Sequence, residues 1–292
     1  MNRKKQMGQG NAKALLAAAL TIGAATSAFW GLTQVALAAQ VGKPQTVQTS
    51  YPSGQAAGEQ KKSQSVSNEK PTYRLVDNDL EYYRDKKPTS LDISREEAAE
   101  RGVQGLYKVF GLDMDGKEIE MAYNPAQGGH RATWEGNWWP DGRKSGPEAY
   151  VQSYGFSVDA VSGELHAVSH SRVLSQETNT GFDAGLSRSS GEYGGLAREL
   201  AVKLGAVQGK VKTVDYAGQG TSNNDPDIFF NITGEGGERA QLRFSRFDQE
   251  LLGVTFDPGM KEMDVSIRDA EEFAKRAEAY FKLNPDAATY EE

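Results

Sequence analysis

The sequence predicts an α+β protein with two folded units, each a helix packed on an antiparallel β-sheet, behind an N-terminal signal or anchor helix and a disordered linker. Three observations carry this expectation. A serine-capped amphipathic run precedes a series of alternating, turn-punctuated segments. The same order, helix and then strands, recurs further along the chain. The first residues, finally, are basic and then uncharged over a long apolar stretch.

Residues 1–38 hold Arg3, Lys4, Lys5 and Lys13 and no acidic residue, and no charge falls between Ala14 and Gln40. A basic start, an apolar stretch and the small-residue site Ala36-Leu37-Ala38 are the layout of a secretory signal cleaved after Ala38. The uncharged run is also long enough to cross a bilayer, which leaves an uncleaved anchor open. In either case the body lies outside the membrane. Residues 39–72 are rich in Gln, Ser, Gly and Lys and poor in large apolar side chains, so they read as a flexible spacer. Thr72 to Lys86, with Tyr73, Leu75, Leu80, Tyr82 and Tyr83, has enough apolar surface to dock on the body.

Unit 1 spans about residues 88–173. Ser94 with Glu97 is a capping box, and Ala98, Ala99, Gly102, Val103, Leu106 and Phe110 form one face of a helix that Gly111 stops. Strands follow at 118–123, 131–139, 150–158 and 165–171. The last two are joined by Asp159-Ala-Val-Ser-Gly-Glu-Leu165, where Gly163 supplies a positive φ. A break dense in Ser, Thr, Asn and Gly covers 174–195. Unit 2, about 190–284, has a Leu196, Leu200, Leu204 stripe and strands at 211–216, 227–232, 240–247 and 251–256. A C-terminal helix is expected from Ser266 to Lys282, because Asp264-Val-Ser-Ile-Arg-Asp-Ala270 echoes Asp92-Ile-Ser-Arg-Glu-Glu-Ala98. A looser echo relates Val158-Asp159 and Glu164-Leu165…Val168 to Phe247-Asp248 and Glu250-Leu251…Val254, with three residues removed from the turn.

The chain carries a net charge of −7. Without the four basic residues of the first 38, 29 basic residues face 40 acidic ones. That balance argues against nucleic acid and against anionic lipid, both of which need clustered Lys and Arg. Membrane contact is expected only through an uncleaved N-terminal segment. The chain has no cysteine, which excludes disulfides, thiolate metal sites, a cysteine nucleophile and a lipoprotein anchor.

Two motifs resemble the PepSY family: Ile93-Ser-Arg-Glu-Glu-Ala98 opening the helix, and the hairpin Val158-Asp-Ala-Val-Ser-Gly-Glu-Leu165, similar to that family's V-D-A-x-[ST]-G-E-[LVI]. The resemblance covers about 90–172 well and 190–257 loosely. It implies tandem exported units like those of the YpeB and YcdB type. Such domains are found in protease propeptides and in partners of wall hydrolases, and they bring no catalytic motif.

His166 and His170 form H-x-x-x-H, which on a helix would suit zinc. On a strand they lie ~13 Å apart, too far to share one metal, so they read as structural. Asp113-x-Asp115-Gly116 lacks the twelfth-position Glu of a calcium loop and reads as a turn. Asn223-Asn224-Asp225-Pro226-Asp227 reads likewise. No G-x-S-x-G elbow occurs, and Glu96, Glu97 and Glu100 suit the first turns of a solvated helix. No cofactor, metal or catalytic residue is expected. Trp134, Trp138 and Trp139 are the candidate partner-binding residues. Trp134 and Trp138 share one strand face and Trp139 the other, either as core packing or as an exposed anchor for a partner or glycan.

The expected function is a non-catalytic binding or regulatory protein of the cell-wall space that modulates or positions an extracytoplasmic hydrolase or protease. The alternatives are a wall- or glycan-binding structural protein and an enzyme with an unrecognised site.

Overall fold

The computed structural model describes residues 72–142, 152–178, 181–189 and 191–283. The expected export segment and the linker through residue 71 lie outside the described residues. Among the described residues no helix is long and apolar enough to cross a membrane.

The polar tract ends in β1 (Arg74–Asp77), which runs parallel to β2 (Glu118–Asn124). The short helix α1 (Glu81–Arg84) follows and packs against β2, so the tyrosine-rich stretch docks as its composition predicts. Helix α2 (Arg95–Phe110) is capped by Ser94, whose Oγ accepts from the Glu97 N–H at 3.1 Å. The Glu97 carboxylate pairs with Arg101. Gly111, at φ 70°, ends the helix as a left-handed C-terminal cap. The meander β2, β3 (Thr133–Trp138), β4 (Gln152–Asp159) and β5 (Leu165–Arg172) is antiparallel throughout.

After α3 (Ala184–Arg188), helix α4 (Gly191–Lys203) leads into a second antiparallel meander. Its strands are β6 (Val211–Ser222), β7 (Asp225–Gly234), β8 (Arg239–Ser245) and β9 (Leu251–Thr255). Asn223 and Asn224 both take positive φ at the β6–β7 turn, the conformation of a two-residue type I′ hairpin. In α4 the buried side chains are Tyr193, Ala197 and Ala201, and the expected leucines Leu196 and Leu200 close over the flanks. The small alanines let the helix sit close on β6 and β7.

The expected pair of sheets is instead one. All nine strands form a single mixed sheet in the order β1-β2-β3-β4-β5-β9-β8-β7-β6. The last strands of the two meanders meet antiparallel through Ala167–Thr255, Val168–Val254 and Ser169–Gly253. Each meander on its own would leave an edge of unpaired backbone groups, and the join satisfies both edges at once.

The hairpins flanking that join are equivalent, but not in the register the sequence echo suggested. Asp159 N donates to Glu164 O and Ser245 N to Glu250 O, both at 2.9 Å. Gly163 N donates to Asp159 O, and Gln249 N to Ser245 O. Val158 and Asp159 therefore correspond to Phe244 and Ser245 rather than to Phe247 and Asp248, and no residues are missing from the turn. Each hairpin also carries a bulge that leaves one extra residue, His166 in β5 and Leu252 in β9.

A second correction concerns the C-terminal helix. α5 (Asp257–Leu283) starts well before Ser266, whose Oγ donates to Glu262 O within the helix. The echo of Asp92–Ala98 is therefore one of letters only. The first turns of α5 pack on β5 and β8.

Helices α2 and α4 share one face of the sheet and cover its apolar core. Phe156, Phe230 and Phe244 are fully buried there, each contributing about 1.5–3 kcal/mol of burial. Two glycines sandwich Phe156. A Cβ at Gly102 of α2 or at Gly136 of β3 would overlap the Phe156 ring.

Candidate binding surface

Side chains alternate across the sheet, so the face opposite α2 and α4 takes the residues that sit between the core positions. One row runs across five strands by direct pairing: Asn137, Gly155, Ser169, Gly253 and Arg243. A neighbouring row holds Glu135, Ser157, Ala167, Thr255 and Gln241. α1 packs on β2, and the start of α5 packs on β5 and β8 beside Thr255. On β5, β9 and β8 is a small depression lined by Ala167, Ser169, Gln241, Arg243, Gly253 and Thr255.

Its floor is low because its central residues are small. A Cβ at Gly155 would come within 2.8 Å of Asn137 Oδ1, and one at Gly253 within 3.0 Å of Val168 O. Arg243 forms one wall. Its Nη2 donates to His170 O at 3.0 Å and to Leu252 O at 3.3 Å, carbonyls that lie beside the bulge and the join. Its Nη1 is 3.9 Å from Asp227 Oδ2. Burial pushes the Arg243 pKa down, against the pull of Asp227 and Asp225. Burial also pushes Asp227 up to about 6, with Arg243 opposing.

Beside the depression lies a buried polar cluster. Ser157 Oγ and Thr133 Oγ1 both donate to Glu135 Oε1 at 2.9 Å. Burial raises the Glu135 carboxyl to about 7, although both hydroxyls pull it down. Asp159, fully buried, accepts from the N–H groups of Val161 and Ser162 and lies 2.7 Å from Arg131 Nε. Burial works to raise its pKa, but His166, those two N–H groups and Arg131 outweigh it and hold it at about 2. His166 Nε2 is 3.6 Å from Asp159 Oδ2. At the mouth of the cluster, Glu262 of α5 meets His130 Nδ1 at 3.1 Å and accepts from Arg131 N.

These groups do not form a nucleophilic set. The Ser157 proton is directed at Glu135, the imidazole of His166 faces Asp159, and the N–H groups of Val161, Ser162 and Arg131 are taken up by Asp159 and Glu262. A triad needs its base on the serine hydroxyl and free N–H donors for the oxyanion.

The other histidine of the pair, His170, is on the opposite face. Tyr154 stacks on it at 4.3 Å and Trp138 on Tyr154 at 5.6 Å, with Phe110 edge-on to Tyr154 and His170. His170 Nδ1 is 3.0 Å from Glu250 Oε1. Burial, reinforced by Arg172 and Arg243, lowers its pKa to about 4. Arg172 then ties the two meanders together, contacting Asp225 at 2.7 Å, Asp248 at 2.8 Å and Glu250. Nothing in the sequence signals this cluster, because its members come together only through the β5–β9 join. His166 and His170 thus serve separate polar networks, and among the described residues no group of three or more His, Cys, Asp or Glu is placed to hold a metal ion.

Of the three tryptophans, Trp134 belongs to the core. It is 6% exposed, its Nε1 donates to Ile93 O at 3.1 Å, and Tyr123 packs edge-on to it. Trp138 is half-buried in the aromatic stack, and Trp139 is half-buried at the end of β3. The Asp113–Gly116 segment is a turn, with Asp113 Oδ1 accepting from Asp115 N and Gly116 at φ 67°.

No family model matches the chain, and no curated protein matches it. Among solved structures it is similar to the Bacillus megaterium YpeB C-terminal domain, at 11% identity and a TM-score of 0.35. The similarity covers 58% of this chain and 65% of that one.

Proposed function

We propose that the chain is an exported, non-catalytic binding protein built from two PepSY-like units, and that the sheet face opposite α2 and α4 holds an extracytoplasmic hydrolase or protease. The observation that carries this reading is the open row Asn137–Gly155–Ser169–Gly253–Arg243. It combines a floor of small residues with hydrogen-bonding walls, and it crosses the join between the two meanders. An extended segment of a partner fits such a floor, with Asn137, Gln241 and Arg243 as polar contacts and Trp139 as an apolar neighbour at the end of β3.

The face is a better site than the long edge of β6. That edge is broken by extra residues at Lys212 and Ala217, and bulges with an edge lysine are the devices that discourage strand addition. The acidic body also suits a cationic surface on the partner.

Placing a photo-crosslinking residue at Ser169, with Tyr107 on the outer side of α2 as control, tests the reading in cells that make the protein. The expected result is capture of a wall hydrolase or protease from Ser169 and not from Tyr107, with that enzyme's activity changed by the purified chain. Equal labelling from both positions would overturn it, as would turnover of wall fragments or peptides by the chain itself. Retention on insoluble peptidoglycan without any protein would favour the glycan-binding alternative.

A further inference from the structure

We infer that the C-terminal half of α5 pairs antiparallel with the same segment of a second copy of this chain. The helix packs on the body through its first half, where Gly259 and Met260 are buried, Glu262 meets His130, Asp264 pairs with Arg239, and Val265, Arg268 and Asp269 lie beside Gly129 and His130. Beyond Asp269 its side chains are largely exposed, yet they are not uniformly polar. Ile267 and Phe273 are 45% and 59% exposed. With Ala270, Ala274 and Ala277 they fall on one face at helical spacing. A single helix gains nothing from presenting that stripe to water, and most helical stability in proteins comes from packing an amphipathic face.

The charges beside the stripe identify what covers it. Glu271, Lys275, Glu278 and Lys282 follow one another along one flank. In an antiparallel pair each flank meets the same flank of the other copy, running in reverse. Glu271 then lies opposite Lys282, and Lys275 opposite Glu278, in both directions, so four complementary pairs form about a two-fold axis. Aligned in parallel, the ladder has no such self-match. The Glu278–Lys282 pair already formed within one helix, at 3.0 Å, shows both side chains on that flank. The alanines permit close approach, and Phe273 of each copy packs near Ala277 of the other. A self-complementary patch of this kind closes as a dimer and does not propagate.

The absence of native cysteine makes the geometry testable in the intact chain. The axis passes close to Ala277, so Ala277→Cys in the full-length protein should give a disulfide-linked dimer under mild oxidation, because two copies of that position approach within bonding reach. Ala270→Cys, about two turns from the axis, should not. Adding Phe273→Glu to Ala277→Cys should abolish the dimer band. Adding Glu271→Lys should weaken it, and Glu271→Lys with Lys282→Glu should restore it. Equal crosslinking at Ala270 and Ala277, no crosslinking at Ala277, or no rescue by the double charge exchange would overturn the proposal. None of these substitutions touches the sheet face, so crosslinking from Ser169 to a partner protein remains an independent readout.

Discussion

Val168 and Val254 face each other across the β5–β9 ladder, and each occupies in its own hairpin the place the other occupies in the opposite one. Each follows its bulged residue by two positions, and each is buried beneath the helical layer. The two halves therefore meet through equivalent residues, and the consequences of that join and its hairpins can be measured.

The two hairpins make the same demand on one backbone position and meet it with different residues. Gly163 and Gln249 take φ of 71° and 64°, a region that costs a side-chain-bearing residue ~1–2 kcal/mol. Gln249→Gly is expected to stabilise the protein by ~1 kcal/mol and Gly163→Ala to destabilise it by a similar amount. Urea midpoints with unchanged slopes would report both.

Gly102 is a helix residue with no room for a methyl group. Alanine is the better helix former by ~1 kcal/mol, but its Cβ would enter the Phe156 ring. Gly102→Ala should therefore lose ~1–3 kcal/mol through overpacking. Pairing it with Phe156→Leu should recover part of the loss, and strict additivity in the double mutant would contradict the contact.

Arg172 compensates the buried carboxylate of Asp225. Arg172→Met should cost ~3–5 kcal/mol, the penalty for stranding a buried charge. Asp248→Asn and Glu250→Gln, at the exposed ends of the same cluster, should each cost less than about 1 kcal/mol.

Two groups shape the pH dependence with opposite signs. His170 has a folded pKa of about 4, below its ordinary 6.5. The stability tied to its neutral form is present above pH 6.5 and is lost as pH falls towards 4, about 3 kcal/mol in all. Glu135, raised to about 7 from 4.5, favours the fold below pH 4.5 and loses that contribution as pH rises through 7. His170→Phe should flatten the acid limb of a stability profile. Glu135→Gln should gain ground on the parent between pH 5 and pH 8, and an advantage equal at both values would contradict the burial effect.

Local chemistry made much of the fold legible. The Ser94 cap, the Gly111 stop, the Gly163 turn and the order of helix and strands all follow from short-range patterns that the structure keeps. The register of the second hairpin was misread because Ser245 replaces Asp159 as the turn's side-chain acceptor and Gln249 replaces Gly163, so the backbone persists after its signature letters are gone. The Asp264 echo misled for the converse reason, since identical letters mid-helix need no cap. The open sheet face had only a faint signal, Gly155 and Gly253 inside strands, because a surface of this kind is defined by which elements leave it uncovered.

The join also bears on how the molecule tolerates damage. Residues 181–189, in the stretch linking the two meanders, are almost all exposed to solvent, while the two meanders hold each other through the ladder and the Arg172 cluster. Protease scission there should leave a nicked species whose fragments stay associated in native buffer and separate only in denaturant. The covalent link between the halves is then dispensable once the sheet has closed.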